Sequence, residues 1–193
     1  MALPATLTAM TRAEFLAWET VQADKHEYWQ GDVFAMVGAR QVHVIVSLNV
    51  ATLLKAHLRG TSCRAYMADI QLEIAAADAV FYPDVLVSCD AADLAADRVL
   101  QHPRVIIEVL SESTAGYDRG AKFAAYRRLS SLQEYVLIDP DRLTVEIFRR
   151  TDNDDWLFST HDSARGLVLK SIDFEASLVD VFEDVGTDPS PTT

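Results

Sequence analysis

The chain has 193 residues, 50% of them apolar and 24% charged, and a formal charge of −12 at pH 7. That length suits one domain over residues 1–185, with enough apolar side chains to bury a core and too few residues for two comfortable ones. No apolar run approaches the roughly 20 residues that span a bilayer, and the N-terminus lacks the basic start and apolar stretch of a signal peptide, so a membrane protein is excluded and a cytoplasmic location is expected.

Thr11-Arg-Ala-Glu14 has the pattern of a capping box and predicts a helix near 11–20, with Phe15, Leu16 and Trp18 beginning its apolar face. HEYWQGDVFAM reads as two short strands around a Gln30-Gly31 turn. Residues 42–58 run on without Pro or Gly. Val42, Ile45, Val46, Asn49, Leu53 and Ala56 recur at spacings near 3.6, a helix stopped at Gly60. Strand signals follow at 64–74, 80–88 and 104–110, and the last, RVIIEVL, is apolar enough to be buried on both faces of a sheet. The stretch 89–102 reads as a helical turn and loop, 117–129 as a helix, 134–139 as a buried strand and 143–149 as a strand returning from the turn Asp139-Pro-Asp-Arg142. Trp156 to Thr160 and Leu167 to Lys170 suggest additional C-terminal edge strands, and 186–193 a disordered tail. Strand, strand, helix, strand in the middle requires a parallel pair, so the expected fold is α/β, a mixed sheet flanked by helices.

Cys63 and Cys89 lack C-x-x-C spacing and are expected to be reduced, structural thiols, with a disulfide as the alternative. The acidic balance should repel a polyanion. Residues 119–150 nevertheless carry seven Arg and Lys against four Asp and Glu, a net +3 that leaves −15 elsewhere. Either a local basic surface or a solvated helix face accounts for that stretch.

Glu108 interrupts Val-Ile-Ile-Glu-Val-Leu, where a lone buried carboxylate is costly unless an arginine, a set of donors or a metal ion compensates it, or the strand end carries it to solvent. Asp84 follows Pro83, which forces an extended approach, and opens the apolar run Val-Leu-Val. On neighbouring strands the two carboxylates make a hard-oxygen pair suited to Mg²⁺, with Mn²⁺ as a substitute. Lys122 lies one helical turn from Asp118 and one from Tyr126, on a single face; a surface Asp118–Lys122 pair would explain the same spacing. Ser111 and Thr114 fit helix capping or phosphate contact.

Tyr82-Pro-Asp84, Ile107-Glu-Val-Leu-Ser111, Ser113-Thr114, Tyr117-Asp118, Lys122 and Tyr126, in this order, resemble the Uma-two family of endonucleases, within the PD-(D/E)XK restriction-endonuclease-like superfamily. The likeness covers residues 10–182 and takes in Glu27, Gly31, His43 and Glu134-Tyr135. It implies a restriction-endonuclease-like core with a divalent metal on Asp84 and Glu108 and an extra acid, Glu27, beside that metal. It also implies a site-lining role for His43, in phosphate contact or as general acid. The superfamily places lysine two residues after the acidic strand residue; Leu110 stands there, and Lys122 looks like its replacement from the following helix. Glu112 stands where a proline is common in relatives, and Asp32 where a glutamate is common.

The expected activity is metal-assisted hydrolysis of nucleic-acid phosphodiester bonds, with DNA the expected substrate. Asp84, Glu108 and Lys122 would be catalytic and His43, Ser111, Arg119 and Tyr126 would face the substrate, Arg127 and Arg128 helping to hold its backbone. A rival is a catalytically silent nucleic-acid-binding or interaction module of the same fold, which Leu110 and the acidic body favour. Another is a structural protein whose Glu108 is neutralised by Arg64 or Arg104. Exposed C-terminal edge strands are compatible with a homodimer.

Overall fold

In the computed structural model, which describes residues 10–112 and 114–186, the capping box closes from both sides. Thr11 accepts the Glu14 amide and Glu14 reaches back to the Thr11 amide, starting α1 (Arg12–Glu19). Gln30 (φ 52°) and Gly31 (φ 95°) both take positive φ, the two-residue turn that matches strand twist, and join β1 (His26–Trp29) to β2 (Asp32–Ala35). After an irregular stretch, α2 (Gln41–His57) buries Val46, Val50 and Leu54.

Two of the expected strands are each split. The 64–74 stretch forms β3 (Arg64–Met67) and β4 (Gln71–Ile74), because Ala68 turns at φ 45° and gives its N–H to the Asp84 carbonyl. The 80–88 stretch forms β5 (Ala79–Phe81) and β6 (Val85–Ser88), with Pro83, which has no N–H for a ladder, in the gap. Each break sends the two halves into different sheets.

The chain continues through α3 (Ala91–Ala95), β7 (Val99–Leu100) and β8 (Pro103–Val109). A helix then runs as α4 (Ala115–Tyr117), a π turn over Asp118–Lys122, and α5 (Phe123–Tyr126). β9 (Glu134–Asp139), β10 (Thr144–Arg150), β11 (Trp156–His161), β12 (Leu167–Leu169), β13 (Phe174–Ala176) and α6 (Leu178–Val181) complete the order. The larger sheet runs β11-β10-β9-β8-β6-β3, the other β2-β1-β5-β4-β7, and β12 pairs with β13. β8 and β9 are parallel across the helix between them, as the sequence requires, and β4 and β7 form a further parallel pair.

β8 is buried on both faces. Val105, Ile107 and Val109 pack with α2 in one core, while Ile106 and Leu110 join Leu72, Phe81, Leu86 and Tyr126 in another. Strand alternation therefore turns Glu108 toward the second core, beneath α5.

Cys63 and Cys89 are joined in a disulfide, against the expectation of free thiols. The β3–β6 ladder pairs Arg64 with Ser88, so the residues one step beyond face each other. A separation of 26 residues carries no signal of that pairing. Of the two readings of the basic stretch 119–150, neither holds for all of it: several of its cations are paired with acids or carbonyls, while Arg127, Arg128 and Arg142 are exposed. Arg119 pairs with Glu146, Lys122 with Glu27 and Glu108, Arg149 with Glu134 and Arg150 with Asp154, and Arg128 donates to the Ala76 carbonyl.

Glu134, 0% exposed, accepts Arg149 Nε at 2.8 Å, the amides of Lys170 and Ser171 at 3.0 Å, and the Ser171 hydroxyl at 2.6 Å, which fastens the C-terminal hairpin to the sheet. Arg149→Ala strips this buried charge of its counter-ion but leaves three neutral donors. A loss of about 3 kcal/mol is expected, the lower end for a broken buried pair. A denaturation midpoint equal to wild type would contradict that role. No helix among the described residues is long and apolar enough to cross a membrane, and the tail beyond Gly186 lies outside them.

Candidate active site

The antiparallel register of β6 on β8 pairs Val85 with Ile107, so the residues one step outward, Asp84 and Glu108, meet where the ladder ends. Glu108 Oε2 accepts the Asp84 amide at 3.3 Å, and Asp84 Oδ2 accepts the Val109 amide at 2.7 Å. The helix beyond β8 brings Lys122 over this pair. Its Nζ lies 3.1 Å from Glu108 Oε1, 3.0 Å from Glu27 Oε1 on β1 and 3.9 Å from Asp118 Oδ1. Tyr126, one turn further, donates to Glu108 Oε1 at 2.6 Å.

Local structure fixes the lysine. The π turn widens the helix where Asp118 and Lys122 are both buried, while Arg119 between them clasps Glu146 at 2.9 and 3.0 Å. Phe123 stacks on Tyr135 with ring centroids 5.2 Å apart and meets Phe148 at 4.4 Å, and the Tyr135 hydroxyl donates to the Asp118 carbonyl at 3.0 Å. The Asp84 segment is tied from its other side. The Tyr82 amide donates to Glu27 Oε1 at 3.3 Å and its hydroxyl to buried Glu19 at 3.0 Å, and Glu19 also holds the His26 amide at 2.8 Å. From the first turn of α2, His43 Nε2 lies 3.1 Å from Asp84 Oδ2.

These groups shape one another's protonation. Burial pushes Glu108 up to about 8, with Asp84 and Asp118 adding to the rise and Lys122 opposing it. Burial also raises Asp118, again against Lys122. Burial works against a charged Lys122, but Glu108, Glu27 and Asp118 outweigh it and hold the ammonium protonated. For His43 burial opposes the charged ring, the hydrogen bond to Asp84 favours it, and the balance is raised.

The residues border a cleft of about 690 Å³ lined by five carboxylates (Glu27, Asp84, Glu108, Glu112, Asp118) against Lys122, Arg40 and His43. That surplus of negative charge suits a divalent cation. Asp84 Oδ1 accepts no hydrogen bond among the described residues, and Glu108 Oε2 accepts one long one, so both keep lone pairs for a hard metal. Glu27 is engaged instead by Lys122 and the Tyr82 amide.

Of the residues given site roles from sequence, Glu27, His43, Asp84, Glu108, Ser111 and Lys122 line this cleft. Tyr126 stands behind it at 0% exposure, and Arg119 is outside its lining. Ser111 faces Thr114, their hydroxyl oxygens 2.9 Å apart. Arg64 and Arg104 reach the carbonyls of Leu94 and Ser171, so the counter-charge of Glu108 is Lys122. Asp118 was legible as the partner of a surface pair and as part of the Tyr117-Asp118 motif, but with no site role; its place in the acid cluster depends on the π turn, which has no sequence signature. Tyr82 and Tyr117 complete the wall. A separate acidic group, Asp90, Asp93 and His102, has candidate ligand atoms within 4.8 Å of one another. There Asp93 already accepts the Gln101 and His102 amides and the Ser88 hydroxyl, which explains its burial as a loop clamp.

A mixed α/β core carrying two acids at the end of adjacent central strands, with a lysine reaching them from the following helix, has a nuclease-like, restriction-endonuclease-like fold. Residues 12–178 match the Uma2 family model, described as "Putative restriction endonuclease", and the chain belongs to that family. It is 36% identical over 159 residues to the uncharacterized protein slr1290 of Synechocystis, covering 82% of this chain and 84% of that protein. It is 33% identical over 161 residues to sll1609 of the same organism, covering 82% and 91%. The fold is similar to a crystal structure of a putative nuclease belonging to DUF820 from Anabaena variabilis. The TM-score is 0.73 at 19% identity, over 90% of this chain and 97% of that one.

Proposed function

We propose that the chain is a Mg²⁺-dependent endonuclease that hydrolyses phosphodiester bonds, with DNA as the expected substrate. The observation that carries this reading is the Lys122 ammonium, 3.1 Å from Glu108, beside the Asp84–Glu108 pair in an open cleft. Leu110 leaves the usual lysine position vacant, and Lys122 supplies the missing cation from the helix. Asp84 and Glu108 would hold the metal. Bound there, Mg²⁺ supplies Lewis acidity that lowers the pKa of a coordinated water and neutralises the scissile phosphate.

The remaining chemistry falls to the chain's own groups. Lys122 stays charged and so serves as an electrostatic group, aimed at developing negative charge on phosphate oxygens, rather than as a base. Glu27 and Tyr126 position it and Glu108. His43, with a raised pKa and its Nε2 on Asp84, suits proton donation to the leaving oxygen or a phosphate contact. Ser111 lines the same wall and would donate to substrate.

The direct test is cleavage of labelled DNA and RNA in Mg²⁺ and Mn²⁺ against an EDTA control; no metal-dependent cleavage of any nucleic acid would overturn the reading. A second measurement is independent of turnover. Metal binding must displace the proton that Glu108 retains below about 8. Mn²⁺ affinity is therefore expected to rise about tenfold per pH unit between about pH 6 and 7.5 and to flatten above 8. Calorimetric affinities that do not change with pH would remove Glu108 from the ligand set.

A further inference from the structure

The cleft is much larger than a metal site needs. A cation with a few waters, each with a share of about 30 Å³, would leave most of the 690 Å³ unfilled. Beyond the carboxylates the lining turns apolar, with Phe34 on β2, Met36 and Val37 on the segment between β2 and α2, and Tyr82 and Tyr117. Val37 is 73% exposed and Met36 41%, unusual for adjacent apolar side chains at the rim of an acidic cleft. The end of this strap is fixed, since Arg40 forms a two-bond ion pair with Asp141 at 2.7 and 2.9 Å.

Cations are scarce in the same place. Arg40 and Lys122 are the two cationic side chains in the lining apart from His43, and Arg40 faces Asp141 while Lys122 is enclosed by Glu27, Glu108 and Asp118. Arg119, on the helix behind, is held by Glu146. A continuous duplex is gripped through many phosphates by rows of free Lys and Arg, and the cleft presents no such row among the described residues. It presents a cluster of charged groups together with apolar and aromatic side chains.

We propose that the cleft takes an unpaired nucleotide, from a single strand or displaced from a duplex. The phosphate would lie at the Asp84–Glu108–Lys122 end and the base against Phe34, Met36, Val37 and Tyr117. The inference rests on the phosphodiester reading above and narrows it. An apolar and aromatic wall gains from any base face, whereas stacking within a paired duplex hides that face. One or two phosphate contacts also imply weak salt dependence.

The test compares three labelled substrates of one sequence at equal concentration in Mg²⁺: a single strand, a duplex with one bulged nucleotide, and a fully paired duplex. The first two are expected to be cleaved about tenfold faster than the third. Single-strand affinity measured in Ca²⁺ should fall with a log–log salt slope of about −0.7 to −1.4. Val37→Asp, at an exposed position where folding is not at stake, should raise KM for the unpaired substrates about tenfold. Equal or faster cleavage of the paired duplex would overturn the inference and leave the nuclease reading standing. Absence of cleavage on all three substrates would overturn both.

Discussion

Asp84→Asn is expected to lower metal-dependent cleavage by about a thousandfold or more while the melting temperature moves by no more than about 2 °C. The two effects separate because Asp84 has two jobs. Its Oδ2 accepts the Val109 amide at 2.7 Å, which keeps the end of β8 paired, and an asparagine oxygen can still accept that bond. Its charge is the part the proposed chemistry needs, and that charge is costly to the apo protein, since it helps push Glu108 up. Removing it lets Glu108 ionise more readily, which offsets what is lost with His43. The His43 ring should titrate lower in the variant, a shift visible by NMR that reports removal of the charge whether or not cleavage is measured. Asp84→Ala makes the contrast. It orphans the Val109 amide as well and should cost about 1–3 kcal/mol of stability for a similar loss of activity. An Asn variant with wild-type activity would remove Asp84 from the metal site.

Most of the scaffold around that aspartate was legible because local chemistry and periodicity agree with the fold. Thr11 and Glu14 make a cap wherever a helix follows, Gln30-Gly31 supplies the positive φ a tight hairpin needs, and RVIIEVL is too apolar for an exposed edge. The parallel β8–β9 pair followed from strand–helix–strand order. What failed to show was set by contacts distant in sequence. Ala68 has no turn propensity, yet its amide is captured by the Asp84 carbonyl, and the expected strand 64–74 divides between two sheets. Cys63 and Cys89 pair because β3 and β6 are in register, and Arg119 and Arg149 find acids on other elements. The site shows the same division. Glu108 announced itself as a charge inside an apolar run, and the Asp118–Lys122 spacing was plain. Only the three-dimensional arrangement distinguishes a surface i,i+4 pair from a lysine with three carboxylates around it.

That enclosure makes Lys122→Met the most destabilising change expected at the site. Methionine keeps the unbranched stem and its packing near Phe81 but removes the ammonium, which lies 5.5 Å from that ring and within 4 Å of Glu27, Glu108 and Asp118. Stripping one partner from a buried ion cluster costs about 3–5 kcal/mol, because the acids left behind must stay ionised without a counter-charge or take up protons. The pH dependence follows from that choice. Glu108 is already raised in the folded protein by burial, and loss of Lys122, which opposes the rise, lifts it further. A carboxylate whose folded pKa exceeds its unfolded value contributes stability that is present below the unfolded pKa and is lost as pH climbs toward the folded one. The variant should therefore approach wild-type stability near about pH 5 and fall furthest behind above about pH 8. Divalent metal should return part of the difference, since a cation on Asp84 and Glu108 neutralises the acids the lysine no longer faces, while cleavage stays lost without the ammonium. Equal stability of variant and wild type in EDTA at pH 8 would show that the acids do not depend on Lys122, and with that its role as the displaced lysine of the site would go.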